Sequence, residues 1–425
     1  MSADEIEVHA SLNGRTHRVG VLRVMVRGGR NTATFGYDPA WRDVPGHFSL
    51  EPALLVGEGV FSLDKGREMF ASIGDSAPDI WGRRLMQRME RRRAKADGRA
   101  TRSLTEADYL LGVADVARLG ALRFRRFGDG DFLSPLRPGH SVPPLIDLPR
   151  LLSVTERVLR DEETDEDLLL LLAPGSSLGG ARPKASVTDD DGQLAIAKFP
   201  KEVDDYSVET WEEVALRLAD LAQIRTAEHR LEWVGGKPVL LSRRFDRDQH
   251  GIRFPFLSAM SMLNMVDGDH GSYPELVDGL RSYGNDTARD AAELYRRMVF
   301  NILVSNVDDH LRNHGFLWQG ELGWKLSPAY DLNPVPVDVK AHILSTNVSL
   351  DEGTCSIELA RESAEYFGLS LAEADAIIGG VAGATRRWRE VAAEVGARKA
   401  EINRMDSAFQ HEALEIALKL ANVSA

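Results

Sequence analysis

Apolar and polar positions alternate across residues 5–37, the period of a strand with one face buried. Within that stretch Val21–Val26 and Thr32–Phe35 are predicted as two strands turning around Gly28–Gly29. The period then lengthens. Over Pro78–Arg93, Ile80, Leu85 and Met89 fall on one side of a predicted helix, with arginines over much of the rest. Residues 133–149 hold five prolines and read as a connector. Six acids in Asp161–Asp167 run into Leu168–Leu172, a helix start whose negative charge complements the macrodipole, and Pro174–Gly175 ends it. Next, Lys184–Val187 and Leu194–Phe199 pattern as a hairpin and Glu209–Leu221 as an amphipathic helix. Arg230–Val234 and Pro238–Phe245 form a second hairpin around Gly235–Gly236. Beyond Phe245 helical periodicity dominates, over Asp286–Val304, Ala360–Phe367, Leu371–Val381, Thr385–Val395 and Ala408–Leu420, with one more hairpin at Gly315–Trp318 and Gly323–Leu326. No fixed repeat period emerges. The pattern predicts an α+β chain in two lobes, β-rich first and helical second, changing over near residues 242–256. It divides into a segment 1–140, a strand-rich unit 141–245 and a helical unit 246–425, with the cleft between the halves as the natural ligand site.

Composition narrows this picture. The chain has 425 residues, 43% apolar and 28% charged, with 52 Lys or Arg against 65 Asp or Glu and a net charge of −13. Such a chain buries a large core without staples. An acidic total argues against broad electrostatic binding of nucleic acid, which needs a basic face. Arg83–Arg102 goes against the trend, with nine Lys or Arg and two acids. It is either a solvated helix face or a docking surface for an acidic partner. The single cysteine, Cys355, permits no intrachain disulfide and no cysteine-rich zinc site. The N-terminus is acidic from Asp4 onwards, and no apolar run approaches a membrane span. A soluble, cytoplasmic protein without a signal peptide is expected.

Four stretches could carry chemistry. In the first, Asp308 is followed five residues later by Asn313, the spacing of a base or orienter and a metal ligand in a phosphoryl-transfer loop. In the second, Asp331 comes back past the Gly315–Leu326 hairpin to the mouth of that loop. An amide and a carboxylate supply the hard oxygen atoms that Mg²⁺ prefers. In the third, Lys198 lies in the apolar strand Ala195–Phe199, where an ammonium is costly unless paired. Glu212, one helix later, is a plausible partner and Lys201 a competitor for the role. In the fourth, Ser177–Leu178–Gly179–Gly180 leads to Lys184, a turn whose glycines let backbone N–H groups approach phosphates. It is not a P-loop, because Ala181–Arg182 stand where Lys and Ser or Thr are required. Gly175–Gly179 matches a nucleophile elbow in letters, but the strand before and helix after are missing. His310 and His314 have metal-ligand spacing on a helix, yet Asn313–Gly315 suggests a turn, with His310 bracing the catalytic loop.

Together these stretches resemble the HipA family, the serine/threonine-kinase toxins of bacterial HipBA-type toxin–antitoxin systems. Asp75–Leu85 resembles the family's P-D-x-W-G-R-R signature and Leu119–Phe124 its G-A-L-x-F strand. Ser177–Lys184 resembles its glycine loop, Ala197–Pro200 its phosphate-lysine strand and Arg244–Arg247 its hinge. Asp308–Asn313 and Tyr330–Leu332 are similar to its catalytic and metal motifs. The resemblance implies a protein-kinase-like fold whose N-lobe carries an extra segment. It implies ATP and Mg²⁺ as cofactors, with Asp308 orienting or deprotonating an acceptor hydroxyl, Lys198 on the α/β-phosphates, and Asn313 and Asp331 holding the metal. The backbone from Leu241 to Phe245 would meet adenine, which brings Arg243 and Phe245 into the nucleotide site beside His310. Ser177 would be the autophosphorylated serine, with Ser176 left open as an alternative. Adjacent Asp309 leaves open which carboxylate acts. The implied partners are a protein substrate in translation, such as an aminoacyl-tRNA synthetase, and a HipB-like antitoxin through which DNA would mainly be contacted. A small-molecule kinase and a catalytically dead nucleotide-binding module remain as rival readings.

Overall fold

The computed structural model describes residues 4–27, 30–132, 142–172 and 180–423. The early alternation gives β1 (Asp4–Leu12), β2 (Arg15–Arg27) and β3 (Arg30–Tyr37), an antiparallel meander. Its first turn is Asn13–Gly14, both with positive φ (50° and 76°), the backbone of a two-residue hairpin whose twist matches its strands. Short β4 (Phe61–Ser62) and β5 (Leu122–Arg126) extend the sheet to the order β4-β3-β2-β1-β5. Ile6, Val8, Ala10, Leu22, Val24, Ala33, Phe35 and Phe124 are buried.

The predicted helix forms at Ile80–Ala96, capped by Asp79, which accepts from the Gly82 N–H (2.9 Å). Its buried stripe is Trp81, Leu85 and Met89, at i, i+4 and i+8, while Ile80 is 54% exposed. Trp81 takes the place expected for Ile80 because the larger ring fills the interior and its Nε1 donates to the Lys184 carbonyl (3.1 Å). The basic run turns out to be largely paired. Arg83 binds Glu106 (2.5 Å), Arg99 binds Glu90 (2.6 Å) and Arg102 binds Asp108 (2.7 Å). Arg88 lies 2.6 Å from Asp161 and 3.1 Å from Glu163, and Arg92 pairs with Asp165. Arg88 and Arg92 thus join the basic run to the acidic run 161–167, while Arg83, Arg99 and Arg102 are paired with acids outside it.

A second sheet follows, β6 (Lys184–Thr188), β7 (Leu194–Lys198), β8 (His229–Val234) and β9 (Lys237–Arg243), antiparallel in the order β6-β7-β9-β8. The amphipathic helix between β7 and β8 spans Val208–Leu221, capped by Ser207. Helix Leu148–Leu159, which begins inside the expected connector, packs with helix Asp165–Leu172 into the same core as β6, β7 and β9. Pro149 belongs to the first turn of the former, where a missing N–H breaks nothing. In the second half, β10 (Phe256–Ser258), β11 (Gly315–Trp318) and β12 (Trp324–Leu326) make a three-stranded sheet among helices that include Tyr273–Tyr283, Thr287–Leu303, Leu371–Thr385 and Glu412–Val423. The helix expected over Ala408–Leu420 is interrupted, as the short helix Asp406–Phe409 stops before Glu412–Val423 begins. The largest core runs without a break from the first sheet through helix Val208–Leu221 into the C-terminal helices. Among the described residues no helix is long and apolar enough to cross a membrane.

Candidate active site

Lys198 ends β7, paired across to Lys184 on β6 and to Leu240 on β9. Its Nζ lies 2.6 and 2.8 Å from the two Glu212 oxygens and 2.6 Å from Asp331 Oδ1. Helix Val208–Leu221 brings Glu212, while Asp331 arrives after β12 in a left-handed backbone conformation (φ 60°). The sheet half and the helical half therefore meet at one ammonium. Burial opposes the Lys198 charge, but Asp331 and then Glu212 overcome it and hold the pKa above its usual 10.5. One cation between a buried and a half-buried carboxylate cannot fully stabilise both. Burial pushes Glu212 up to about 7 against the pull of Lys198. Asp331, opposed by burial but facing Lys198 and then Lys184, stays well below the ordinary carboxylate range.

Lys184 opens β6, with Nζ 3.0 Å from Asp79 Oδ2. Gly180 (φ 90°) lies against it, and a Cβ there would stand 3.4 Å from Nζ. Arg182 binds Asp204 (2.6 Å) and Glu209 (2.9 Å), fastening the chain just before β6 to the start of helix Val208–Leu221. Ser176, Ser177, Leu178 and Gly179 lie outside the described residues. Lys201 does not compete with Lys198 in this structure, since the carboxylates around Nζ are gathered at Lys198. Burial and then Arg182 lower its pKa.

The catalytic-loop candidate follows helix Thr287–Leu303. The His310 N–H donates to the Asp308 carbonyl (2.9 Å), the Asn313 N–H to the His310 carbonyl (2.8 Å) and Asn313 Nδ2 to the Asp308 carbonyl (3.2 Å). A tight turn results, as expected for His310 and Asn313. The two adjacent carboxylates part company here. The Asp308 side chain is 58% exposed, and Oδ1 lies 3.0 Å from Lys340 Nζ. Asp309 is buried, accepts from the Tyr273 hydroxyl (2.5 Å) and has His314 Nε2 3.0 Å away. Asp308 is the one an acceptor can reach.

At the hinge, the Arg243 guanidinium is held by Asp191 (2.5 Å) and Glu228 (3.0 Å). The N–H groups of Arg243 and Arg244 donate to Glu228 O (2.8 Å) and Leu194 O (2.9 Å), so these two donors are already committed. The Phe245 ring packs against Tyr330 at 5.5 Å and Phe256 at 6.4 Å. Behind it Arg244 and Asp246, each 1% exposed at the side chain, pair at 2.6 Å. Asp246 also accepts from the Gly120 N–H (2.7 Å), tying the hinge to the first segment.

The residues present fit a magnesium nucleotide. Asn313 Oδ1 is buried and has no hydrogen-bond partner among the described residues, and Asp331 is an ionised carboxylate. No cluster of three His, Cys, Asp or Glu among the described residues offers a complete protein cage. Two oxygen ligands and no cage suit Mg²⁺, which keeps waters and shares phosphate oxygens.

A family model described as the HipA-like C-terminal domain matches residues 176–404, more than half of the chain. The chain belongs to the HipA family. Among curated relatives, "Putative kinase Y4mE" of Sinorhizobium fredii is 26% identical over 181 residues, 37% of this chain and 41% of that protein. "Putative kinase Y4dM" of the same organism is 30% identical over 119 residues, 28% of each chain. The matches thus span less than half the length of these relatives. The Shewanella oneidensis MR-1 HipA toxin, solved with HipB and its operator DNA, shares the fold at TM-score 0.62 and 17% identity. The match covers 98% of this chain and 97% of that one.

Motif spacing does not single out Tyr273, Asn301, Asn306 and Asn333, which lie behind the two loops. Asn306 and Asn333 stand two residues from Asp308 and Asp331, a proximity that could have drawn notice. Nothing in the sequence marks Tyr273 or Asn301.

Proposed function

We propose that this HipA-family chain is an ATP- and Mg²⁺-dependent serine/threonine protein kinase that acts as the toxin of a toxin–antitoxin pair. The observation that carries the reading is the meeting of buried Lys198 and Glu212 with half-buried Asp331. Lys198, held by Glu212, presents its ammonium where phosphates would neutralise it. Asn313 Oδ1 and the Asp331 carboxylate would hold Mg²⁺, which supplies charge neutralisation on the transferring phosphoryl group. Asp308, open at the rim, accepts the proton of an incoming hydroxyl or orients it. Lys184 beside Gly180 adds positive charge at the exit of the glycine turn. Autophosphorylation is assigned to Ser177 or its neighbour Ser176. A phosphate there adds about −1.5 to −2 charges inside a cradle suited to anions and disables it. The substrate would be a translation component such as an aminoacyl-tRNA synthetase. A HipB-like antitoxin would restrain the chain and make most of the DNA contact.

Phosphosite mass spectrometry after induced expression tests this directly, comparing wild type with Asp331→Ala. New phosphoserines or phosphothreonines on a translation protein and on residues 176–177, absent in the variant, support the reading. Identical phosphoproteomes with equal growth inhibition would remove it.

A further inference from the structure

Behind the two loops runs a chain of hydrogen bonds, buried from Asp309 to Asn306 and half-buried at Asn333. The Asn333 N–H donates to Asn306 Oδ1 (3.1 Å) and Asn306 Nδ2 to Asn301 Oδ1 (3.0 Å). Asn301 Nδ2 donates to the Tyr273 hydroxyl (2.9 Å), and that hydroxyl donates to Asp309 Oδ2 (2.5 Å). At its other end Asn333 Nδ2 reaches Asp331 Oδ1 (3.1 Å). Tyr273, Asn301, Asn306 and Asp309 are each at most 2% exposed. The orientation of every member is dictated. A carboxylate can only accept, so the Tyr273 O–H must donate to it and must accept from an Asn301 N–H. That turns Asn301 Oδ1 towards Asn306 Nδ2 and leaves Asn306 Oδ1 for a donor. The donor waiting there is a backbone N–H, which can only donate. Both ends fix the same direction independently, and bonds aligned in this way reinforce one another.

We propose that Tyr273, Asn301 and Asn306 are positioning residues that lock the loop carrying Asp308 to the loop carrying Asp331, setting the distance between the group that receives the acceptor proton and the metal ligand. The proposal rests on the kinase reading. Outside the chain, the two loops are also joined by the Tyr330 hydroxyl donating to the Arg312 carbonyl (2.7 Å) and by the Val335 N–H donating to the Ser305 carbonyl (3.1 Å).

The test uses the full-length chain with Tyr273→Phe, which keeps the ring and removes only the hydroxyl, and with Asn306→Ala. Phosphotransfer is measured against Mg²⁺ and ATP concentration, alongside thermal unfolding and hydrogen exchange over residues 329–336. Tyr273→Phe is expected to lower kcat on the order of 10- to 100-fold and raise the Mg²⁺ needed for half-maximal rate, with KM for ATP changed less than about twofold. Exchange at Asn333 should accelerate although the substitution lies three hydrogen bonds away, and the double variant should be no slower than the worse single one. A folded Tyr273→Phe protein with a lower Tm but unchanged kcat, Mg²⁺ response and Asn333 exchange would reduce the chain to packing and overturn the proposal. If wild type transfers no phosphate and binds no magnesium nucleotide, the kinase reading fails. The exchange measurement then still decides whether the loops are coupled. If Asn306→Ala does not fold, Tyr273→Phe alone decides between the two outcomes.

Discussion

Burial separates the site residues by what their loss would cost. Asp308 is half in solvent, and its partner Lys340 is equally exposed, a pairing worth little to stability. Asp308→Ala is therefore expected to change unfolding free energy by less than about 0.5 kcal/mol. The same substitution should lower phosphotransfer on the order of 10²–10⁴-fold, checked by denaturant titration and labelled-ATP kinetics. Lys198 contrasts with it. Truncation to Ala leaves Glu212 and Asp331 facing each other without the ammonium that bridges them, at a cost of about 3–5 kcal/mol as well as activity. A Lys198→Ala protein as stable as wild type would mean that the three groups are not packed together in solution.

Among the elements, helix Val208–Leu221 decides where Glu212 points, and one contact that holds it depends on pH. His229 on β8 has Nδ1 2.7 Å from Glu213 Oε2 and Nε2 3.2 Å from Asp220 Oδ2, both on that helix. Burial lowers the imidazole pKa, but Asp220 and Glu213 outweigh it and raise it from 6.5 to about 9. A raised histidine gives its full stabilisation below the unfolded value and loses it as pH climbs through the folded one. Relative to His229→Gln, wild type should therefore lose its stability advantage as pH rises from about 6.5 to about 9, read as Tm across a pH series. The same element shows how far local pattern reaches. Its span and amphipathic face follow from Val214, Leu218 and their neighbours. Helix Tyr273–Tyr283 carries the same kind of signal, with Tyr273, Leu276, Val277 and Leu280 buried at i, i+3, i+4 and i+7 behind a capping box of Ser272 with Glu275.

Across the whole molecule the first segment is part of the scaffold. The core that begins at Ile6 and Val8 continues to Trp211 and Met298. Arg118, fully buried, donates to the carbonyls of Ser76 (2.8 Å), Leu110 (2.9 Å) and Val113 (3.0 Å), and burial depresses its pKa to about 9. Arg244 and Asp246 clamp the hinge to Ala117–Gly120. Asp246→Ala strands a buried guanidinium and should cost about 3–5 kcal/mol in a denaturant titration. A chain beginning at residue 142 should fail to unfold cooperatively, since it exposes the face that the first sheet covers. The sequence by itself determined the order of strands and helices over residues 184–245, the five-residue spacing of Asp308 and Asn313, and the candidate pairing of Lys198 with Glu212. Periodicity and short-range spacing are properties of the chain alone. Only the tertiary structure decided that Asp309 is buried against Tyr273 while Asp308 stays open, that Arg88 and Arg92 pair with the acidic run, and that four side chains link the two loops from behind. Each of these depends on which residues distant in sequence are brought within hydrogen-bonding reach, and a one-dimensional pattern does not carry that distance.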